Sequence, residues 1–202
     1  MQELEFYFDC SSPWTYLGFE SLQSLIVRQP LIQVTYKPIL VGGVFNTVNP
    51  SVYENRANPV RVKQQYYVKD LQDWAEHVGV VIGQPPVFPV NSVKAMRGAF
   101  YAMEESRLIE YARCVFGTYW TELQDISQEE VLQHICVTVG LDPDTFFEKI
   151  SNPVYKDKLK LNTDELIARG GYGSPTFFLN RTDMYFGNDR IQLIEGKLNR
   201  PG

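Results

Sequence analysis

The sequence predicts an α/β fold in which both ends of the chain form one domain and a helical segment is inserted between them. Apolar and polar residues alternate near the amino terminus, and strand-forming residues return in PTFFL near the carboxyl terminus. Between these two regions the apolar residues recur at helical spacing. We therefore expect residues 1–50 and 155–202 to form one domain and residues 51–154 to form a helical insertion subdomain.

The first strand leads directly into a helix. Leu4, Phe6 and Phe8 occupy alternate positions, as in a strand, and apolar residues follow at helical spacing from Trp14 onward. A Cys-Ser-Ser-Pro sequence lies at the junction. A second strand is predicted over residues 31–38, so the chain opens as strand, helix and strand, a unit that usually has a right-handed crossover.

The middle of the chain is predicted to be a long loop followed by helices. Residues 41–59 are rich in Gly, Asn and Pro, which favours a loop. Beyond them, apolar residues repeat at helical spacing, and two amino-terminal caps are predicted. Ser127 with Glu130 has the pattern of a capping box, and Asp142 precedes Pro143 as a cap precedes a first-turn proline.

The end of the chain predicts two strands and a final helix. PTFFL and MYF flank a turn-like NRTD sequence, and a Gly-Asn-Asp turn at 187–189 opens the helix. The complete order is β-α-β, helical insertion, α-β-β-α. This is the order of a thioredoxin-like fold with an all-helical insertion, as in DsbA-like proteins.

In that fold the first helix begins at the reactive motif, and a cis proline at the start of the third strand faces it. Ser12, Pro13, Trp14 and Thr15 here occupy the position of the Cys-Pro-x-Cys motif of disulfide oxidoreductases. Both redox cysteines are absent. We expect Pro175 to be the matching proline, with a cis peptide bond before it.

Composition excludes several classes of protein. The chain has 202 residues, 44% of them hydrophobic, and a net charge of -5, with no stripe of basic residues for nucleic acid. No apolar run approaches the length of a membrane helix, and no basic-then-apolar leader opens the sequence. We expect a cytoplasmic protein that binds neither nucleic acid nor membrane.

Cysteine and histidine residues give no metal or disulfide pattern. Cys10, Cys114 and Cys136 are an odd number without a CxxC spacing, and His77 and His134 are each alone on a predicted helix. We therefore predict no metal. Cys10 is either a small core residue at the end of the strand or a reactive thiol, and the alternation of the strand favours the core.

Five stretches carry a resemblance to a known family: FYFDCSSPWTYLGFE, VKQQYYVKDLQDWA, FPVNSVKAMR, GGYGSPTFF and FGNDRI. In this order they resemble the 2-hydroxychromene-2-carboxylate isomerases and the kappa-class glutathione transferases, a branch of the DsbA-like thioredoxin superfamily. The resemblance runs nearly end to end. It implies glutathione as cofactor, a small aromatic electrophile as substrate, and a homodimer.

Ser12 is the candidate catalytic residue, because in that family the serine before the proline holds the thiol of bound glutathione. A helix amino terminus favours a thiolate by about 0.3 to 1 kcal/mol, and by up to about 2 kcal/mol when partly buried. A hydroxyl donating to the anion adds about 1.5 to 3 kcal/mol. Together they would lower a thiol pKa near 8.5 by roughly one to three units. The alternative is a plain helix cap.

The resemblance also implies the groups that bind glutathione. The backbone around Ser174 and Pro175 pairs with the cysteinyl part as an added strand would. Asn188 and Asp189 hold the γ-glutamyl end, and Lys63 is a candidate partner for the glycyl carboxylate. Without the resemblance, Asn188 and Asp189 are better explained as a helix cap, and Lys63 as a solvated surface residue.

We expect the pocket for the electrophile between the thioredoxin-like domain and the insertion. Phe88 and Pro89 are candidates for an apolar wall, and Asn91 or Arg97 for contact with a substrate carboxylate. Ser11 departs from the family, which usually has an apolar residue at that position.

The predicted function is a glutathione-dependent isomerase. By resemblance, it converts 2-hydroxychromene-2-carboxylate to trans-o-hydroxybenzylidenepyruvate through a transient glutathione adduct. The alternatives are a kappa-class transferase or peroxidase that consumes glutathione, and a noncatalytic thioredoxin-like binding module. A disulfide oxidoreductase is disfavoured by the missing cysteine pair, and a serine hydrolase by the lack of a histidine in a motif near Ser12.

Overall fold

Four strands form one mixed sheet in the computed structural model, which describes residues 2–200. β1 (Glu3–Phe8) pairs in parallel with β2 (Gln33–Pro38) and antiparallel with β3 (Thr176–Leu179). β3 in turn pairs antiparallel with β4 (Asp183–Phe186). The strand order is therefore β2-β1-β3-β4, and it unites the two ends of the chain as expected for a thioredoxin-like fold.

Helices make up the rest of the regular structure, and most of them lie between β2 and β3 in the chain. They are α1 (Pro13–Arg28), α2 (Val41–Val48), α3 (Ser51–Ala57), α4 (Arg61–Val78), α5 (Val93–Glu104), α6 (Leu108–Trp120), α7 (Glu129–Val139), α8 (Pro143–Ser151), α9 (Pro153–Ala168) and α10 (Ile191–Leu198). A 3₁₀ turn at Asn188–Arg190 precedes α10. The predicted cap of α8 is confirmed, because Asp142 Oδ1 accepts a hydrogen bond from Thr145 N at 2.8 Å.

The sheet is buried on both faces. Phe6 stacks on Phe8 and on Phe177 in the large core beneath α1, with ring centroids 5.3 and 4.9 Å apart. Tyr7 points to the opposite face, where it belongs to a second buried cluster that includes Leu166 of α9. The predicted alternation of β1 is confirmed, but its second face is covered by protein rather than by water.

The prediction of a loop over residues 41–59 is wrong, because the structure has helices α2 and α3 there. Val44 of α2 is fully buried. α2 packs against α9, and a Cβ atom on Gly43 would lie 3.4 Å from the Thr163 side chain, an ordinary contact distance. Burial of α2 against the protein thus outweighs the preference of its glycines for a loop.

The predicted capping box of Ser127 and Glu130 is also wrong. α7 begins two residues after Ser127, and its cap position is Gln128, whose side chain makes no capping bond. The amide of Ser127 instead donates to Asp125 Oδ1 at 2.9 Å. Asp125 therefore organises a separate turn before the helix, and Ser127 belongs to that turn.

Candidate active site

Ser12 is the cap residue of α1, where β1 has just ended. Its Oγ accepts a hydrogen bond from Thr15 N at 3.2 Å and donates one to Ser174 O at 3.3 Å. The cap that sequence reasoning held as the alternative is therefore present. The same hydroxyl also faces the segment before β3, so one group links the helix start to that segment.

Ser174 and Pro175 are joined by a cis peptide bond, as predicted. Pro175 packs on α1 at Gly18, where a Cβ atom would lie 3.0 Å from Pro175 Cγ. The buried Ser174 Oγ lies 2.8 Å from Thr15 Oγ1 and accepts from Asp9 N at 3.2 Å. The side chain of Ser174 is thus hydrogen-bonded within the protein, and its backbone oxygen accepts from Ser12 Oγ.

Asp9 is a site residue that the sequence analysis missed. It is 1% exposed, and its carboxylate accepts hydrogen bonds from Ser11 N and Val41 N, both at 2.9 Å. Loss of solvation raises its pKa, while these bonds act in the opposite direction. Asp9 ties the Ser12 turn to the start of α2, so it fixes the edge of the sheet where β1 and β2 end.

Cys10 is buried beside the site and is not poised as a nucleophile. Its carbonyl oxygen accepts from Trp120 Nε1 at 2.9 Å, and it is 2% exposed. Burial, together with the charge of Asp9, raises the pKa of its thiol well above the ordinary value. These observations support the prediction that Cys10 is a small core residue.

The Gly-Asn-Asp turn lies next to the cis proline. Gly187 N donates to Pro175 O at 3.1 Å, and the φ of 113° at Gly187 suits glycine. Neither Asn188 nor Asp189 makes a side-chain capping bond to the helix that follows. The interpretation of these two residues as a cap alone therefore has no geometric support.

Asn188 holds a polar group that the protein itself does not satisfy. It is 6% exposed, and within residues 2–200 its Nδ2 has no hydrogen-bond partner. The side chain lines a cavity of about 200 Å³ between α1, α4 and α10, together with Ser21, Trp74 and Gln192. A buried donor without a partner is costly, so this amide fits a ligand that brings a carbonyl or carboxylate oxygen.

Lys63 lies in the first turn of α4 and is exposed. Residues four apart share one face of a helix, so Lys63 is on the side of Tyr67. The hydroxyl of Tyr67 accepts from Trp14 Nε1 at 3.1 Å, and Trp14 is two residues beyond Ser12. Lys63 therefore lies on the face of α4 that meets the start of α1.

Phe88 is connected to the segment before Ser12 by two successive contacts. Its ring is 48% exposed and its centroid is 6.0 Å from that of Trp120, which donates to Cys10 O. The Phe88–Pro89 bond is also cis, which sequence reasoning did not predict. Phe88 is thus connected through Trp120 to the segment that follows β1.

Asn91 and Arg97 each make a hydrogen bond within the protein. Asn91 Oδ1 accepts from Val93 N at 3.1 Å and so helps to start α5. Arg97 Nη1 donates to Ile150 O at 3.2 Å, and the residue lines a second cavity, of about 290 Å³, between α2, α5 and α9. Ser12 lines neither of these two cavities.

Arg56 of α3 is a second residue that the sequence analysis missed. Its guanidinium carbon lies 5.7 Å from the ring centroid of Phe45 and 5.2 Å from that of Phe88. The surrounding segment, which also contains Phe45, was expected to be a loop, and Phe88 is remote in sequence. No local pattern could have found this arrangement.

Neither a metal-binding cluster nor a membrane-spanning helix is found in residues 2–200. In the part of the chain that the structure describes, no three His, Cys, Asp or Glu side chains come together as a metal site would require. Nor does that part hold a helix that is both long and apolar enough to cross a membrane.

Comparison with known proteins adds independent information. The family model of the DsbA-like thioredoxin domain matches residues 3–199. The 2-hydroxychromene-2-carboxylate isomerase of Pseudomonas putida is 30% identical over 205 residues, which cover 98% of this chain and 94% of that protein. Glutathione S-transferase kappa 1 of Caenorhabditis elegans is 24% identical over 216 residues, covering 100% of this chain and 92% of the relative.

Solved structures agree with these matches. A 2-hydroxychromene-2-carboxylate isomerase superposes with a TM-score of 0.83 at 27% identity, over 98% of this chain and 95% of that one. A probable DsbA oxidoreductase from Streptomyces coelicolor gives a TM-score of 0.78 at 16% identity, over 100% of this chain and 92% of the other. The second likeness concerns the fold alone.

Proposed function

Because the chain belongs to the DsbA-like thioredoxin family that includes the 2-hydroxychromene-2-carboxylate isomerases and the kappa-class glutathione transferases, we propose that it is a glutathione-dependent isomerase. Its proposed reaction converts 2-hydroxychromene-2-carboxylate, or a closely related aromatic electrophile, to trans-o-hydroxybenzylidenepyruvate. Glutathione, when bound, supplies a thiolate that adds reversibly to the substrate and is regenerated.

The observation that carries this proposal is the hydroxyl of Ser12 at the amino terminus of α1, beside the cis proline. A hydroxyl has one proton and two lone pairs. Ser12 can therefore keep its bond from Thr15 N while it turns its proton from Ser174 O to an anion. The helix amino terminus favours a negative charge at the same place, so Ser12 stabilises a thiolate without acting as a nucleophile.

The remaining groups match the charges of glutathione, which carries two carboxylates and one ammonium. The buried Nδ2 of Asn188 is a donor for the γ-glutamyl carboxylate, and Asp189 is an acceptor for the ammonium. Lys63 is the partner for the glycyl carboxylate. Ser174 O is free to pair with the cysteinyl amide once the proton of Ser12 has turned away.

Turnover of the chromene carboxylate with and without glutathione tests the proposal. An isomerase requires glutathione, accelerates the reaction in catalytic amounts of it, and leaves the total thiol concentration constant. Equal rates without glutathione, or loss of one thiol per product, would contradict an isomerase.

A kappa-class transferase is the second candidate, and it is favoured by the likeness to glutathione S-transferase kappa 1. That enzyme class consumes glutathione, so an assay of thiol loss with an aryl halide separates the two. Binding of glutathione without turnover of either substrate would instead indicate a noncatalytic thioredoxin-like module.

We also propose a homodimer that works in the cytoplasm. The exposed apolar side chains of Val60, Val62 and Tyr66 at the start of α4 support association with a second copy. The free Cys10, Cys114 and Cys136 suit a compartment that keeps thiols reduced. Sedimentation equilibrium and fractionation of the source cells test these two statements.

A further inference from the structure

Arg56 is an exposed cation that contacts two aromatic rings, and within residues 2–200 it has no acidic partner. Its guanidinium carbon lies 5.7 Å from the centroid of Phe45 and 5.2 Å from that of Phe88, both within the ~6 Å reach of a cation–π contact. Across residues 2–200, no carboxylate forms an ion pair with it, and its N–H groups donate to no protein acceptor. Arg56 is thus positioned by the rings, and its donors are free.

One series of contacts connects Arg56 through Phe88 to the segment that carries Ser12. The ring of Phe88 lies 6.0 Å from the ring of Trp120, centroid to centroid, and Trp120 Nε1 donates to Cys10 O at 2.9 Å. Cys10 precedes Ser12 by two residues. Phe88 therefore links the guanidinium to the end of β1.

A second series connects Arg56 through Tyr67 to Trp14, which follows Ser12 by two residues. Tyr67 is 44% exposed, but burial around its hydroxyl raises its pKa. The hydrogen bond from Trp14 and the charge of Arg56 both lower this pKa and so oppose the rise. Arg56 is thus close enough to Tyr67 to act on its charge. Tyr67 OH accepts from Trp14 Nε1 at 3.1 Å, so contacts on both flanks of Ser12 converge on Arg56.

The chemistry of this arrangement favours an aromatic carboxylate. Guanidinium N–H groups point outward in the plane of the group, and Arg56 uses none of them for a hydrogen bond within residues 2–200. They are therefore available for a two-pronged bond to a carboxylate. The neighbouring phenyl rings offer apolar surface for an aromatic ring attached to that carboxylate. Lys63, by contrast, has no aromatic cation–π contact and suits the peptide-like carboxylate of glutathione.

We propose that Arg56 binds the carboxylate of the electrophile and makes the Ser12 site selective for aromatic carboxylates over uncharged aromatic compounds. This inference rests on the proposed function, because it assumes that the electrophile reacts beside Ser12. Arg56 thus takes the role of carboxylate partner that the sequence analysis gave to Asn91 or Arg97. Arg97 faces a different cavity, and Asn91 is engaged at the start of α5.

A binding experiment tests the carboxylate site without requiring turnover. 2-Hydroxycinnamate and its amide are titrated calorimetrically into the protein saturated with S-methylglutathione, which has no free thiol. The wild-type protein should prefer the carboxylate. Arg56→Met should weaken carboxylate binding about tenfold to a hundredfold and leave amide binding unchanged, as expected for a lost charged hydrogen bond. Arg56→Lys should give an intermediate affinity.

Arg107→Met is the matched control, because it removes the same charge from an exposed residue at the start of α6. It should leave both affinities unchanged. Melting curves verify folding, and Arg56→Met should melt near the wild-type temperature since Arg56 makes no hydrogen bond within residues 2–200. Equal effects of Arg56→Met on acid and amide, or equal loss in Arg107→Met, would overturn the assignment.

Kinetics separate failure of this inference from failure of the proposed function. If chromene carboxylate is turned over, Arg56→Met should raise its KM about tenfold or more without changing the KM of glutathione. Turnover with both KM values unchanged, or a rise in the KM of glutathione, would refute the role of Arg56 and leave the isomerase intact. Absence of turnover, with carboxylate-selective binding that depends on Arg56, would refute only the isomerase.

Discussion

Replacement of Ser12 by alanine should separate its structural role from its chemical role. The variant loses the capping bond to Thr15 N and the hydroxyl proton that now meets Ser174 O. Loss of a cap costs about 1 kcal/mol of unfolding free energy. A lower melting temperature is therefore expected whether or not Ser12 has a chemical role, and only the reaction can distinguish the two cases.

The chemical effect follows from the lost bond to the thiolate. A hydrogen bond to a charged group contributes about 1.5 to 3 kcal/mol, and one pKa unit corresponds to about 1.4 kcal/mol. The pKa of the bound thiol should rise by about one to two units in Ser12→Ala. At neutral pH the rate should fall about tenfold to a hundredfold. Glutathione affinity should change little, because the proposed binding groups Asn188, Asp189 and Lys63 are retained.

The measurement is the pH dependence of turnover, with ultraviolet absorbance of the bound thiolate as a second readout. Ser12→Thr keeps a hydroxyl and should retain most of the activity. Asp142→Ala is the control, because Asp142 caps α8 before a proline in the same way. It should lower the melting temperature without shifting the pH profile. Full activity and an unshifted profile in Ser12→Ala would refute the role of Ser12.

Four other substitutions have defined outcomes. Asn188→Leu should weaken glutathione binding about tenfold, as measured by titration. It should not lower the melting temperature, because Asn188 Nδ2 has no hydrogen-bond partner within residues 2–200. The bond from Tyr155 and the nearby lysines lower the pKa of Glu104 from 4.5 to about 2, so its ionised form stabilises the protein above pH 4.5. That stability is lost as the pH falls toward 2, and Glu104→Gln should flatten this dependence in urea unfolding, with an effect of about 1 kcal/mol since the group is partly exposed. Gly98→Ala would bring Cβ to 2.2 Å from a buried phenyl carbon and should lower the melting temperature by several degrees, whereas Gly117→Ala, with no atom within 4 Å, should raise it.

The sheet and the longer helices could be predicted because their information is local. The alternation of β1 and the spacing of α4 depend on residues a few positions apart. α2 could not be predicted, since it is stabilised by burial of Val44 and by packing against α9, which is distant in the chain. Glycine in isolation favours a turn, and only the distant partner reverses that preference.

The same limit applies to the site. Ser12 and Pro175 belong to short motifs, so they could be identified from the sequence. Asp9 and Arg56 could not, because Asp9 bonds to the start of α2 and Arg56 contacts Phe88, and both partners are far away in the chain. Arg97 looked suitable by residue type, but the face of α5 that carries it turns toward α9.

Two indole N–H groups, those of Trp14 and Trp120, form hydrogen bonds in the segments around Ser12, so tryptophan fluorescence can report changes there. Trp14 of α1 donates to a tyrosine of α4, and Trp120 of α6 donates to the backbone at the end of β1. Each bond crosses from the sheet side of the molecule to the helices that lie between β2 and β3 in the chain. A ligand that displaces α4 from α1, or α6 from the end of β1, should change the surroundings of one of these indoles, so intrinsic emission should follow such a movement without an added label.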